Sequence, residues 1–155
     1  MTLEDLIIKH EGSVPSPYTD TTGHQTVGVG HNLDASPLPG ETYPMSQERI
    51  LAVLAQDITN AQNALQAALP WFFTLSPVRA AVLMDMAFNM GLRTLLTFQH
   101  TLGCIEAGNW DAAAQGMLAS LWAKQVGPRA TEDARMMVTG LWPDDPNFHV
   151  ELPSS

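Results

Sequence analysis

The feature that most constrains the fold of this chain is a helical repeat of apolar residues, which begins near residue 47 and continues through most of the remaining length. Between Gln47 and Ala68, apolar side chains recur about every 3.6 residues, as on one face of an amphipathic helix. Ser46 can cap this helix, and Pro70 ends it. Similar start and stop residues predict further helices over about 77–90, 92–107, 110–122 and 128–139.

The first third of the chain has a different pattern. Thr2 to Glu11 is predicted to be a short helix, since its apolar residues share one face and Gly12 can end it. Two short strands are predicted next, at Tyr18 to Asp20 and at Gln25 to Val29. We therefore expect a single domain of residues 1–155 with an α+β, mostly helical, two-lobed fold. Its parts would be a small mixed lobe at about 12–57, a long connecting helix, and a helical lobe at about 69–142 that includes the N-terminal helix.

Composition excludes several classes of function. The formal net charge of −9 argues against nucleic-acid binding, since phosphate contacts need clustered lysine and arginine. Apolar residues make up 45% of the chain, yet no run approaches the roughly 20 apolar residues of a membrane span, so no stable membrane insertion is expected. Cys104 is the only cysteine, which rules out an internal disulfide and a cysteine-rich zinc site. We expect neither a metal nor a cofactor.

Two acidic residues near the N-terminus are candidates for catalysis. Hydrolysis of a glycosidic bond needs one protonated carboxyl, which gives its proton to the leaving oxygen, and one ionised carboxylate. Glu11 is predicted to end a helix, where the negative end of the helix dipole disfavours an anion and helps to keep the carboxyl protonated. Asp20 stands among threonines, a polar environment that suits a carboxylate. Alone, either residue would more often be a solvated surface group, so the surrounding sequence decides.

The surrounding sequence forms a specific pattern that extends far along the chain. Its parts are Glu11-Gly12, Tyr18-Thr19-Asp20, Gly23, Thr26 to His31, Gln56 to Ile58, Arg79 to Gly91, Trp110 to Ala114, Trp122 to Gln125 and Pro128 to Ala130. This pattern resembles the phage-type lysozymes, glycoside hydrolase family 24, in which a glutamate, an aspartate and a threonine follow in the same order and with nearly the same spacing. The resemblance covers about residues 3–142.

The resemblance implies a role for each matching residue. Glu11 would be the general acid, Asp20 would position or activate a water, and Thr26 would hold that water through its hydroxyl. His31 and Asp57 would form a structural ion pair. Four further residues would line the saccharide cleft: Asn32, Phe88, Thr101 and Gly116. At Asn32 and Gly116 the side chain departs from the family's usual one.

The same resemblance implies a lysozyme-like fold and a muramidase activity. The enzyme would hydrolyse the β-1,4 bond between N-acetylmuramic acid and N-acetylglucosamine in the glycan strands of bacterial peptidoglycan, as a monomer. The Thr26 hydroxyl that accompanies Asp20 suits a mechanism with a bound water better than one with a direct nucleophile. One of the two groups can accept the proton of the water, and the other can fix its lone pair. We therefore expect an inverting single displacement. A secreted antibacterial effector with the same chemistry and a catalytically inactive glycan-binding module are the alternatives.

The N-terminal residues are unlike a signal peptide, because Glu4, Asp5 and Lys9 fall within the first ten positions. We expect the protein to be made in the cytoplasm of a bacterial host. It would then reach the periplasm and cell wall through a holin-type pore or another delivery system.

Overall fold

In the computed structural model, which describes residues 1–154, the chain forms eight α-helices and three short β-strands. The mostly helical α+β class predicted from the sequence is confirmed. Contacts between residues divide the chain into two units: one is Thr2–Asn63, and the other runs from Ala64 onward and includes Met1. The boundary falls within α2, Gln47–Ala68. The sequence groups the N-terminal helix with the helical lobe, whereas these contacts group it with the strands.

The first unit contains α1, Leu3–Glu11, followed by a small sheet and most of α2. Thr2 caps α1, because its hydroxyl accepts from the Asp5 amide while the Asp5 carboxylate accepts from the Thr2 amide. The sheet is antiparallel and its strands lie in chain order: β1 (Val14–Thr19), β2 (Gln25–Gly28) and β3 (His31–Asn32).

The sheet is larger than the sequence predicts at both edges. β1 begins at Val14, although Pro15 and Pro17 lie within it. An edge strand tolerates residues that lack an N–H, and the pairing with β2 is irregular between Val14 and Tyr18. The sequence does not predict β3, because two residues are too few to show alternation and become a strand only by pairing with β2.

The second unit contains α3, Pro77–Met90, in which every residue from Ala81 to Met86 is buried. A helix that is apolar on all sides belongs to a core. Within residues 1–154, none of the helices combines the length and apolar character needed to cross a membrane. A 3-10 turn, Phe72–Thr74, precedes α3, and the later helices are α4 (Leu92–Leu95), α5 (Gln99–Glu106), α6 (Trp110–Ala119), α7 (Leu121–Val126) and α8 (Pro128–Thr139).

The helix predicted over 92–107 is interrupted between α4 and α5. The end of α4 tightens, since the amides of Thr97 and Phe98 donate to carbonyls three residues earlier. The Thr97 hydroxyl also donates to the Thr94 carbonyl at 2.6 Å. Such local side-chain bonds compete with a continuous helix, and the apolar period alone does not reveal them.

The helix predicted over 110–122 is interrupted at Ser120, whose backbone is extended. The Ser120 hydroxyl donates to the Met117 carbonyl and accepts from the Ala123 amide. One residue therefore closes α6 and caps α7. The serine was the available signal in the sequence, but the apolar repeat continues across it.

An ion pair and a second buried carboxyl group lie inside the second unit. Asp85 of α3 is fully buried, and Arg129 of α8 binds it through Nε at 3.0 Å from Oδ2 and Nη2 at 2.9 Å from Oδ1. Asp133 of α8 is also fully buried. Its burial and the neighbouring Asp85 carboxylate hold the pKa of Asp133 well above its usual range, which favours the neutral form of that group.

Residues 140–154, which follow α8, contain neither helix nor strand, yet they pack within the second unit. Phe148 is only 1% exposed and is among the largest fully buried side chains. The Arg135 guanidinium lies 5.5 Å from the centroid of the Phe148 ring, and its Nε donates to the Val150 carbonyl at 3.3 Å. The sequence does not predict this packing, because a single phenylalanine in a proline-containing tail gives no periodic signal.

Candidate active site

Glu11 is the last residue of α1, which is a short and well-anchored helix. Leu6 and Ile7 on this helix are fully buried. Gly12 ends the helix with a φ of 76°, and its amide donates to the Ile8 carbonyl at 2.8 Å. The half-buried Glu11 thus lies at the negative end of the helix dipole, where the sequence predicts it.

The side chain of Glu11 lies against the turn between β2 and β3. Gly30, in this turn, has a φ of 65°. A β-carbon built on Gly30 would lie 3.1 Å from both Cδ and Oε2 of Glu11. The carboxyl group therefore packs on backbone that carries no side chain, a contact for which the sequence gives no signal.

Asp20 follows β1 directly, in the loop that turns back into β2. Its Oδ1 accepts three hydrogen bonds, from the Thr22 amide at 2.9 Å, the Thr22 hydroxyl at 2.8 Å and the His24 amide at 2.9 Å. The bond from the His24 amide, followed by those from Thr22, holds the pKa of Asp20 below its usual value. These hydrogen bonds therefore favour the anionic form of Asp20.

Tyr18, Thr26 and Asn32 stand opposite one another on the three strands, in the pairs Tyr18–Thr26 and Thr26–Asn32. Directly opposed residues of antiparallel strands project from the same face of a sheet. Thr26 is 4% exposed, and its hydroxyl donates to the His24 carbonyl at 3.1 Å. Thr26, which is expected to hold a water, therefore stands in the middle of a cross-strand row.

The charges of Glu11 and Asp20 affect the phenol of Tyr18, to which the sequence gives no role beyond the motif. Burial raises the pKa of its phenol, and the negative charges of Glu11 and then Asp20 raise that pKa further. The charges of both proposed catalytic carboxyl groups therefore raise the pKa of the same Tyr18 hydroxyl. A tyrosine two residues before Asp20 was visible in the sequence, but its pairing with Thr26 depends on the strand register.

Asn32, predicted to contact the saccharide, forms hydrogen bonds with the loop that follows β3. Its Oδ1 accepts from the amides of Asp34 at 2.9 Å and Ala35 at 3.1 Å. A saccharide contact would then have to come from the amide nitrogen of its side chain. The role in substrate binding stays a prediction.

His31 joins three parts of the first unit. Its Nδ1 lies 2.7 Å from Asp57 Oδ2 on α2, and its Nε2 lies 2.7 Å from the carbonyl of Ser36. Two acceptors around one ring require a proton on each nitrogen. The bond with Asp57 is the main cause that raises the pKa of the buried His31 imidazole, against the opposing effect of its burial.

The remaining predicted saccharide residues, Phe88, Thr101 and Gly116, belong to the second unit. Phe88 on α3 is partly exposed, whereas Thr101 on α5 is 5% exposed. A β-carbon on Gly116 would collide with Thr101 Oγ1, so α6 can carry only glycine at this contact unless Thr101 moves. The structure thus brings Thr101 and Gly116 together, and the proposed contacts of all three residues with sugar stay predictions.

Comparison with known proteins gives a consistent result. Residues 8–137 match the profile of the phage lysozyme family, which confirms the resemblance read from the motif. The chain is 24% identical to the pre-baseplate central spike protein Gp5 of Enterobacteria phage T4 over 161 aligned positions, which cover 90% of this chain and 28% of the spike protein. It is 26% identical to the probable T4-type lysozymes 1 and 2 of Dictyostelium discoideum, over 89% of this chain and 94% of each relative. The chain thus spans a small part of the spike protein and nearly all of the two Dictyostelium proteins.

Proposed function

Since this chain belongs to the phage lysozyme family, we propose that it is a muramidase that hydrolyses the β-1,4 bond between N-acetylmuramic acid and N-acetylglucosamine in bacterial peptidoglycan. Family membership supports a cell-wall glycoside hydrolase, and the proposal adds the bond that is cut and the mechanism. The observation that carries this proposal is that hydrogen bonds hold Asp20 as an anion. Three hydrogen bonds stabilise its anion, in the same unit as Glu11. Glycoside hydrolysis needs such a carboxylate together with a proton donor.

Glu11 is the proton donor in this proposal. Its carboxyl protonates the glycosidic oxygen as the bond from that oxygen to C1 of the muramic acid residue breaks, so the leaving sugar departs as an alcohol. The position of Glu11 at the C-terminal end of α1 supports this role, since the helix dipole there disfavours a negative charge.

Asp20 and Thr26 hold the attacking water. The hydroxyl proton of Thr26 is directed to the His24 carbonyl, so Thr26 can offer a water only its lone pairs. The water then donates one proton to Thr26 and the other to Asp20, which leaves an oxygen lone pair for attack at C1. In this arrangement both Thr26 and Asp20 hold the water as hydrogen-bond acceptors. During attack, Asp20 accepts the proton that the water loses.

The stereochemical outcome follows from this arrangement. A water that attacks from the face opposite the leaving oxygen inverts the configuration at C1, so a β-linked glycan first gives an α-anomer. Proton NMR of a defined oligosaccharide, recorded before mutarotation, measures the first anomer formed. An initial β-anomer or a trapped glycosyl-enzyme in the unaltered protein would contradict single displacement.

Replacement of the two carboxyl groups tests the assignment directly. We expect Glu11→Gln and Asp20→Asn each to lower kcat for peptidoglycan by at least about a hundredfold, the scale of lost acid–base catalysis, with folding retained. Glu4→Gln is the matched control, because Glu4 is an exposed residue in the first turn of the same helix. It should leave kcat unchanged. Near-normal lysis by Glu11→Gln would remove Glu11 from the mechanism.

Product analysis tests the class of reaction. Mass spectrometry of muropeptides after digestion should show muramic acid at the reducing end. Anhydromuramic acid would indicate a transglycosylase instead. Binding of peptidoglycan without cleavage by the unaltered protein would indicate a glycan-binding module.

A further inference from the structure

Glu11 packs so closely against Gly30 that position 30 has no room for a side chain. A β-carbon on Gly30 would lie 3.1 Å from Cδ and Oε2 of Glu11 and 3.2 Å from Cγ. Carbon atoms in favourable contact lie about 3.5–4.0 Å apart. Any side chain at position 30 would therefore overlap three atoms of Glu11, including one oxygen of its carboxyl group.

The turn that carries Gly30 is fixed from both sides. It joins the pair Val27–His31 at the ends of β2 and β3, and Val29 within it is 3% exposed. The ring of His31 is bound by Asp57 and by the Ser36 carbonyl. Because the backbone of the turn is held in this way, the side chain of Glu11 would have to give way to an added methyl group.

We propose that Gly30 is a positioning residue for the general acid: its bare α-carbon forms the surface that sets the Glu11 carboxyl in place. This inference rests on the proposed function, since the placement of Glu11 matters for the rate only if Glu11 gives a proton to the leaving oxygen. A methyl group at position 30 displaces the carboxyl by some tenths of an ångström or turns it away from that oxygen. A misplacement of this kind lowers the rate of the chemical step rather than the affinity for the glycan.

Gly28, the last residue of β2 and directly before this turn, offers a matched control. Its φ is 63°, close to the 65° of Gly30, so an alanine at either position meets the same backbone strain. A β-carbon on Gly28 would lie 3.5 Å from Ile50 Cγ2, which is an ordinary contact. Gly28→Ala therefore reproduces the strain without the overlap with Glu11.

The kinetic test compares the two alanine variants on soluble peptidoglycan fragments, at a temperature where both are folded. We expect Gly30→Ala to lower kcat by about tenfold with KM changed by less than about twofold, because the defect lies in placement of the acid. Gly28→Ala should keep kcat within about twofold of the unaltered protein. Retention of full kcat by Gly30→Ala, or an equal loss in both variants, would overturn the positioning role.

Double variants separate an effect through Glu11 from a general defect. In a Glu11→Gln background, Gly30→Ala should cause no further loss of kcat, because there is no acid left to misplace. A full tenfold loss in that background would overturn the proposal. Loss of activity in Gly30→Ala combined with normal activity in Glu11→Gln would instead refute the proposed function.

A thermal readout keeps the inference testable if Gly30→Ala folds poorly. Truncation of Glu11 to alanine removes the overlapping atoms, so Gly30→Ala should lower Tm less in a Glu11→Ala background than in the unaltered protein. Gly28→Ala should lower Tm equally in both backgrounds. An equal Tm loss for Gly30→Ala with and without Glu11 would show that the contact does not exist in solution.

Discussion

The three threonines beside Asp20 indicate from the sequence that this carboxylate stands in a polar loop. The structure assigns the donors: Thr22 donates through its amide and its hydroxyl, whereas the Thr19 hydroxyl accepts from Gln25 Nε2. The choice among neighbouring threonines depends on how the loop folds back between β1 and β2. The sequence therefore predicts the polarity around Asp20 but not the residue that stabilises its charge.

Replacement of Thr22 tests this stabilisation. Thr22→Val removes the hydroxyl donor but keeps the amide donor, so the pKa of Asp20 should rise towards its usual value. The acidic limb of the kcat/KM profile should then move to higher pH, while the rate near pH 7 changes little. Thr21→Val, on the adjacent exposed residue, is the control and should leave the limb in place. An unmoved limb in Thr22→Val would show that the hydroxyl bond does not affect Asp20.

Gly30 and Tyr18 mark the limit of prediction at the scale of single residues. Both lie in the motif that indicates the family, but their relation to Glu11 depends on strand register and on a turn with positive φ. Register depends on turn geometry as well as on the alternation of apolar residues, and the short strands here show too little alternation to fix it. The sequence could therefore identify the motif and the order of Glu11, Asp20 and Thr26, but not which neighbours act on their side chains.

Most helix starts could be predicted, because single side chains fix them locally. Thr2, Ser46, Ser76 and Asn109 each accept a hydrogen bond from an amide in the first turn of the helix that follows. The breaks after α4 and at Ser120 could not be predicted, since apolar residues keep their helical spacing across both. Periodicity shows which face is buried, whereas the ends of elements depend on individual hydrogen bonds.

The pair of His31 and Asp57 acts at the scale of elements, because it ties β3 to α2 and, through Ser36, to the intervening loop. The folded pKa of His31 is raised above its unfolded value of about 6.5. Stabilisation from the protonated ring is therefore complete below that unfolded value. It is lost as pH rises through the folded pKa.

Asp57→Asn tests this link. We expect a loss of about 1–3 kcal/mol at pH values below about 6.5, since the variant leaves a buried charged ring without its partner, and a shrinking loss at higher pH. Asp34→Asn is the control, because the His24–Asp34 pair is more than half exposed on both sides and an asparagine oxygen can still accept from the Gln25 amide. Thermal melts across pH measure both variants, and NMR titration measures His31 directly. A normal or lowered pKa of His31 would contradict the link.

Charge is the property of the whole molecule that the family resemblance does not explain. The net charge is −9, and Thr2–Asn63, which holds Glu11 and Asp20, carries eight acidic and two basic residues. Bacterial cell walls are commonly anionic, so a protein of this charge is repelled on approach. Long-range repulsion of this kind is screened by salt over about 10 Å at 0.1 M ionic strength.

The initial rate of cell-wall lysis should therefore rise from low to moderate salt. Glu106→Lys, at an exposed position at the end of α5 in the second unit, reduces the net negative charge and should weaken the rise without altering kcat on neutral soluble fragments. Turbidity measurements over a series of salt concentrations test both expectations. A steady fall in rate with added salt would show that local attraction to the wall outweighs the net charge.

The buried Phe148 shows that the packed structure extends beyond the end of the match to the family. The match to the phage lysozyme profile ends at residue 137, yet this fully buried side chain comes later in the chain. A chimaera whose crossover lies at residue 137 loses the Phe148 ring unless the relative's tail supplies an equivalent one, and an unfilled void of aromatic size costs about 3–5 kcal/mol. In a recombinant with a relative, the crossover should therefore lie after the packed tail. This means beyond Val150, whose carbonyl accepts a hydrogen bond from Arg135.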